Sequence, residues 1–282
     1  ILYNMITCGI TGSTGVLGSS FIDKYKNKIK FIKFRGDITN RNDLQHWFKK
    51  NNFNIIIHFA ALVPTGEVDK DYTYARKVNV EGTQNLANLA LKQDSISWFF
   101  FSSTSHVYKN DTKRIKLSEK SKLEPYTNYG RTKLKAENIL LKKFYKSKIN
   151  LCIGRIFSFT SYKQDKSFFI PSIFRKIKNK KNIEFSNLNH YRDFISVRDI
   201  CSAINILHKK RYNGIVNICC GKKINLASLV KFLSKKLQRK VIIKNQNKPS
   251  FLVGVNSKLK KIGWKQTDGM KNIIEDYLKK KI

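Results

Sequence analysis

"TGSTGVLGSSF", residues 11–21, decides how the rest of the chain is read. It places Gly12, Gly15 and Gly18 at the spacing GxxGxxG, directly after the apolar run MITCGIT (5–11) and before an amphipathic stretch. Glycine at these positions lets the backbone turn tightly and approach a pyrophosphate, whose charge then rests on the free amides of a helix N-terminus. A glycine triad alone is a weak signal, and the strand before it and the helix after it make it a dinucleotide-binding loop. The acidic residue that reads the adenosine ribose is expected about twenty positions further on. Asp37 stands 19 residues beyond Gly18, yet one step past the strand IKFIKF (29–34). At that strand end stand Lys33 and Arg35, which suit a 2′-phosphate. The cofactor is therefore NAD or NADP, with the basic pair leaning toward NADP.

Outward from the loop, short apolar runs alternate with helical stretches, the pattern of a parallel sheet with crossover helices. The strands are MITCGIT, IKFIKF, NIIIHFA (54–60), SWFFFSS (97–103) and NLCIGRI (150–156), with helices over 15–26, 41–50, 72–92 and 127–146. The strands are apolar almost without interruption, as expected for a sheet covered on both faces. After Ile156 the rhythm loosens into a basic helix-like segment near 166–181 and further short pieces. These features predict an α/β fold, a Rossmann-type doubly wound parallel sheet with a smaller C-terminal α/β substrate lobe. Residues 1–157 form the dinucleotide domain, with 191–222 returning to it, and 158–190 with 223–282 form the lobe.

The chain of 282 residues carries a formal net charge of +37. Such a balance ordinarily suggests nucleic acid or an anionic surface. Here lysine is spread through the whole sequence beside abundant Asn and Ile, which reads as compositional drift and not as one basic face, so nucleic acid is not the expected partner. No apolar run reaches the roughly 18 residues of a membrane span, and the start ILYNMITCGITG lacks a signal-peptide pattern, so a cytoplasmic protein is expected. The five cysteines, Cys8, Cys152, Cys201, Cys219 and Cys220, have no metal-ligand spacing and read as small buried residues of a reduced compartment.

Three Tyr-x-x-x-Lys pairs occur: Tyr129/Lys133, Tyr162/Lys166 and Tyr277/Lys281. Only the first follows a strand end rich in hydroxyls, FSSTSHVY (101–108), and opens a helix. Residues four apart share a helix face, so a Lys133 ammonium beside the Tyr129 phenol would favour the phenolate and lower its pKa toward neutrality. Tyr129 could then move a proton to or from a sugar hydroxyl, with Thr104 bonding the same oxygen. His106, close to Thr104, is a further candidate for proton transfer. His58, at the end of a buried strand, reads as a satisfied core histidine, and "SVRD" (196–199) as a capping box that makes Asp199 structural.

Together the segments TGSTGVLG, GDITN, IIIHFAA, NVEGTQNL, FSSTSHVY, YGRTKLKAE, YRDFISVRDI and NSKLKKIGW, in this order, resemble the extended short-chain dehydrogenase/reductases. The resemblance is to their NAD(P)-dependent nucleotide-sugar epimerases, dehydratases and reductases. It implies that Gly12, Ser13, Thr14, Gly15, Val16, Leu17 and Gly18 contact the pyrophosphate, and that Asp37 and Ile38 flank the adenine. It places Ala60 and Ala61 by the nicotinamide ribose, with Tyr129 and Lys133 also reaching the cofactor. Thr104, Tyr129 and Lys133 become the catalytic triad. Thr104, Ser105 and Tyr129 face the substrate, and Arg192 contacts its diphosphate. A homodimer through the helices over 72–92 and 127–146 is also implied.

The sequence departs from the family pattern in informative places. Lys109 stands where a glycine commonly follows "VY", and "SFTS" (158–161) replaces the Asn and Gly-Pro expected after GRIF. The Asp-Glu pair that dehydratases of the family carry after the threonine is Ser105-His106 here. The first two departures change the substrate contacts expected near Ser158, and the missing Asp-Glu pair leaves a 4-epimerase or a 4-keto-sugar reductase acting on a nucleotide-diphosphate sugar. The rival is a non-catalytic dinucleotide-bound scaffold or RNA-binding protein of the same fold.

Overall fold

The computed structural model describes residues 5–63, 65–110, 114–179 and 183–279. Its first half runs β1 (Ile6–Thr11), α1 (Val16–Tyr25), β2 (Ile29–Lys33), α2 (Arg41–Lys50), β3 (Ile55–His58), α3 (Thr65–Lys70), α4 (Tyr72–Arg76), α5 (Thr83–Ala90), β4 (Trp98–Thr104), α6 (Asn128–Lys143) and β5 (Asn150–Ile156). There follow β6 (Ser158–Thr160), α7 (Phe169–Asn179), β7 (Glu184–Ser186), β8 (Tyr191–Arg192), β9 (Phe194–Ser196), α8 (Val197–Lys209) and β10 (Gly214–Ile218). The chain ends with β11 (Ile224–Asn225), α9 (Leu226–Lys236), β12 (Ile242–Lys244), β13 (Phe251–Leu252), α10 (Ser257–Lys261) and α11 (Met270–Lys279).

Six strands make one sheet in the order β10-β5-β4-β3-β1-β2, and every pairing in it is parallel. This is the Rossmann-type arrangement that the apolar runs predict. Strand order reverses between β1 and β3, so their carboxyl ends open a crevice with the glycine loop on one side and Ala60 and Ala61 on the other. One face of the sheet packs Phe21 and Ile22 of α1 with Ile200, Ile204 and Leu207 of α8. The opposite face packs Leu44 and Trp47 of α2, Leu86 of α5, and Ala136 and Leu140 of α6. A separate apolar cluster joins α7, α9 and α11 with Phe185 and Phe194. Tyr277 belongs to it, stacked edge-on against Phe174 at 5.4 Å, which gives this tyrosine a packing role. Its motif partner Lys281 lies outside the described residues.

The single helix expected over 72–92 is interrupted. Between α4 and α5 the segment Lys77–Gly82 is a π-turn. The Thr83 hydroxyl donates to the Asn79 carbonyl at 2.8 Å, so a side chain claims a group that α-helical pairing would otherwise use. The "SVRD" segment also differs from a capping box. Ser196 accepts the Asp199 amide at 2.9 Å as expected of a cap, but the Asp199 carboxylate accepts from the Thr267 amide and hydroxyl and from the Asp268 amide. Asp199 therefore pins the loop before α11 and does not close its own helix end. All five cysteines are buried and free.

Helix α6 starts at Thr127, whose hydroxyl accepts the Gly130 amide at 3.0 Å. It is tied to β5 by an ion pair between Glu137 and Arg155 at 2.7 Å, each side chain 1% exposed. Ser103 donates to the same carboxylate, and Arg155 Nη1 also donates to the Tyr108 hydroxyl at 3.1 Å. Removing one member of such a pair leaves the other charged and buried. Arg155→Met should therefore destabilise the fold by about 3–5 kcal/mol in urea unfolding, and adding Glu137→Leu should recover a good part of that loss.

Candidate active site

The glycine loop is shaped by the fold itself at two of its three glycines. Gly12 has φ +68°, and a Cβ there would lie 2.5 Å from the Ala60 nitrogen. A Cβ on Gly18 would collide with the Gly12 carbonyl oxygen. Gly15, the residue before α1, meets only the Gly12 oxygen at 3.4 Å, so the protein leaves room on that side for a close approach from outside. The first-turn amides of α1 have no intrahelical acceptors and carry the positive end of the helix dipole. Ser13, Thr14, Val16 and Leu17 complete this cradle, which fits a pyrophosphate.

Lys33 and Arg35 are exposed at the end of β2. Asp37 spends its polar groups locally: its amide donates to Asp43 Oδ2 at 2.9 Å, and its Oδ1 accepts the Thr39 amide at 2.8 Å. Ile38 is buried, packed where a Cβ on Gly82 would meet it at 3.0 Å. The basic pair is thus free to reach a 2′-phosphate while Asp37 shapes the turn.

Between the loop and α6 runs a hydrogen-bond chain whose polarity can be assigned from its partners. The Thr83 hydroxyl gives its one proton to Asn79, so it accepts from His58 Nε2 at 2.8 Å. His58 Nδ1 therefore accepts from the Thr11 hydroxyl, 2.6 Å away, and Thr11 Oγ1 accepts the Ala60 amide at 3.3 Å. Asn79 in turn clasps both the amide and carbonyl of Leu62, at 2.8 and 3.0 Å, and donates to Thr132 of α6 at 3.0 Å. The Thr132 hydroxyl donates to the Tyr129 carbonyl at 2.8 Å. His58 is a satisfied core histidine, held near pKa 3 by burial and by the nearby Lys133 charge.

At the end of β4, Thr104 is within hydrogen-bonding reach of the Tyr129 phenol, and its Oγ1 accepts the His106 amide at 3.3 Å. Ser105, expected to face the substrate, presents only 3% of its surface. Lys133 stands one helical turn beyond Tyr129, its ammonium 4.0 Å from the centre of the Phe101 ring. The electrostatics differ from the expectation that Lys133 draws the phenol toward neutrality. Burial pushes the Tyr129 pKa well above its usual value, with the Thr104 hydrogen bond as the opposing influence. Burial likewise lowers Lys133 to about 7, opposed by the Glu137 carboxylate. The phenol is therefore protonated at neutral pH.

Arg192 is half-buried in the wall of a cavity of about 340 Å³, together with Asn110, Tyr126, His190, Lys248 and Ser250. Its Nη1 donates to the Tyr191 carbonyl at 2.8 Å and to Ser250 Oγ at 3.0 Å. Behind it, the fully buried Asp193 accepts the amides of Cys220, Gly221 and Gly254, which fixes the strand that carries Arg192. Sequence reading missed Asn79, Thr83, Thr132, Glu137 and Arg155. Only Glu137 left a visible signal, as the third member of a Tyr-xxx-Lys-xxx-Glu ladder on one helix face.

The sequence profile of the NAD dependent epimerase/dehydratase family matches residues 8–219. The chain belongs to that family. It is 30% identical over 224 residues to a GDP-6-deoxy-D-talose 4-dehydrogenase of Aggregatibacter actinomycetemcomitans, covering 75% of this chain and 74% of that protein. It is 28% identical over 245 residues to a putative UDP-glucose 4-epimerase of Methanocaldococcus jannaschii, covering 78% and 79%. The structure of RMD from Pseudomonas aeruginosa complexed with NADPH superposes with a TM-score of 0.89 at 20% identity, covering 98% of both chains. Relatives in this epimerase/dehydratase family are nucleotide-sugar epimerases, dehydratases and reductases. No helix among the described residues is long and apolar enough to cross a membrane.

The position of Lys133 has a measurable consequence. Its pKa is about 7 in the folded protein and about 10.4 in the unfolded chain, so between these values the unfolded state binds the extra proton and stability rises with pH. Across pH 7 to 9, wild type should gain stability relative to Lys133→Met by up to about 1.4 kcal/mol per pH unit in urea unfolding. A difference that stays flat with pH would contradict the buried position of this ammonium.

Proposed function

We propose that the protein is an NADPH-linked oxidoreductase that reduces the 4-keto group of a nucleotide-diphosphate sugar. The observation that carries this reading is that Thr104, at the carboxyl end of β4, lies by the Tyr129 phenol with Lys133 one helical turn further along α6, while Arg192 lines the cavity that Tyr126 also lines. The glycine loop would hold the pyrophosphate, Asp37 and Ile38 the adenine side, and Ala60 and Ala61 the nicotinamide ribose. Lys33 and Arg35 favour NADP over NAD. Held there, the nicotinamide would supply the hydride that C4 takes up.

This chain's residues do the rest. Thr104 and Tyr129 hydrogen-bond the C4 oxygen and fix its orientation, and Tyr129 delivers its proton to that oxygen as negative charge develops there. A phenol kept protonated by burial suits this direction, because reduction needs a donor where oxidation needs a base. Lys133, one turn away, steadies the phenolate left behind. Arg192 binds the diphosphate as a paired guanidinium-oxygen contact. Elimination of a C6 hydroxyl would need a carboxylic acid beside Thr104, and Ser105 and His106 provide none. Likeness to the 4-epimerase supports a second reading, in which the hydride returns to the opposite face of the same carbon. The family resemblance extends to a homodimer through α4, α5 and α6, on or just beyond which Tyr72, Tyr74, Leu141 and Tyr145 are exposed.

The test is a screen of UDP-, dTDP- and GDP-linked 4-keto sugars with NADPH and NADH. Tyr129→Phe should abolish turnover while the protein stays folded, and Tyr162→Phe and Tyr277→Phe should remain active. Full activity in Tyr129→Phe would remove the basis for the assignment. Net NADPH consumption supports reduction, and interconversion of two C4 epimers with no net cofactor change supports the second reading.

A further inference from the structure

His106 sits where the reaction centre meets the cavity, and nothing in the proposed mechanism uses it. Its ring lies edge-on to Tyr129, with centroids 6.0 Å apart, and nearly parallel to Tyr126 at 6.2 Å. Tyr126 is itself part of the cavity wall with Arg192. The imidazole thus stands between the phenol that would handle the C4 oxygen and the guanidinium that would hold the diphosphate. A hexose linking those two points must pass beside it.

The backbone around His106 is held on both sides. Its amide donates to Thr104 Oγ1, and its carbonyl lies against Gly130, where any Cβ would collide with it. The ring nitrogen is not held. Nδ1 is buried and has no hydrogen-bond partner among the described residues, a state shared by Asn110 Oδ1 in the cavity wall. Buried polar atoms are nearly always paired in folded proteins, so an unpaired one on a ring packed against the Tyr126 wall of the cavity calls for an external partner.

We propose that His106 Nδ1 hydrogen-bonds a sugar hydroxyl flanking C4, making His106 a specificity-determining residue that tells a nucleotide sugar from the bare nucleotide. This rests on the nucleotide-sugar reading above. Burial, and secondarily the Arg192 charge, hold the imidazole at a pKa of about 4. It is therefore neutral across the physiological range and acts through hydrogen bonding, which replaces the proton-transfer role expected from its place in the sequence.

The test is calorimetric titration of the protein saturated with NADP⁺, using GDP, GDP-mannose, UDP and UDP-glucose as probes. Wild type should bind at least one nucleotide sugar more tightly than the matching diphosphate. His106→Phe, which keeps the ring against Tyr126, should lose about tenfold in affinity for that sugar nucleotide and none for the diphosphate. His106→Asn, which returns a polar atom near the Nδ1 position, should recover most of the loss. An equal loss for both ligands, or no loss, would overturn the role of His106. Wild-type protein that binds the diphosphates but shows no sugar preference would also overturn it, whereas failure to bind any of the four, or the dTDP and dTDP-glucose titrated beside them, would refute the nucleotide-sugar reading itself. Unchanged thermal unfolding of both variants excludes misfolding as the cause.

Discussion

A run of hydrogen bonds with one fixed direction, from the Ala60 amide through Thr11, His58 and Thr83 to the Asn79 carbonyl, crosses the point where strand order reverses. The Ala60 amide can only donate and the Asn79 carbonyl can only accept, and Thr11, His58 and Thr83 between them each give one proton and take one, so reversing any bond leaves a buried donor facing a donor. That requirement keeps His58 neutral and in one tautomer. It also ties the end of β1, which leads into the glycine loop, to the segment after β3 that carries Ala60 and Ala61. Through the Asn79 side chain and Thr132 the same constraint reaches the Tyr129 carbonyl. The glycine loop and the helix that carries Tyr129 are thus positioned by one network, and the π-turn at Lys77–Gly82 is the local distortion that lets Asn79 and Thr83 serve it.

A second constraint is electrostatic. Three ionisable side chains, Lys133, Glu137 and Arg155, are almost completely buried between β4, β5 and α6. Glu137 is matched to Arg155, so among the described residues Lys133 is the one of the three with no ion-pair partner. Its ammonium rests on the face of Phe101 and takes only distant support from Glu137. In the proposed reduction, this ammonium beside a protonated phenol would respond when negative charge appears on the tyrosine oxygen, so that burial unfavourable for the fold would serve the chemistry at that one position.

How much of this could be read beforehand depended on whether the signal was local. The strands and the glycine loop were legible because continuous apolar runs and GxxGxxG spacing are properties of neighbouring residues. Tyr129 and Lys133 were legible because four-residue spacing sets one helix face. The π-turn was not, since it arises from a Thr83 hydroxyl competing for a backbone carbonyl in a buried setting, where periodicity reads as one long helix. Arg155, lying in the apolar strand NLCIGRI, gave no hint that its partner is Glu137, 18 residues earlier on another element. The direction of the Tyr129 shift was not legible for a related reason: spacing puts Lys133 on the same helix face, but only packing shows the desolvation that raises the phenol's pKa.

The central claim is that Tyr129 and Thr104 hold a C4 oxygen while hydride arrives from NADPH at the same carbon. The most direct measurement uses NADPH deuterated at the transferable nicotinamide position with a 4-keto nucleotide sugar, and follows the label by NMR. The account predicts deuterium at C4 of the product sugar, on one face only, with stoichiometric formation of NADP⁺. Label that stays in the cofactor, or that appears elsewhere on the sugar, would contradict it.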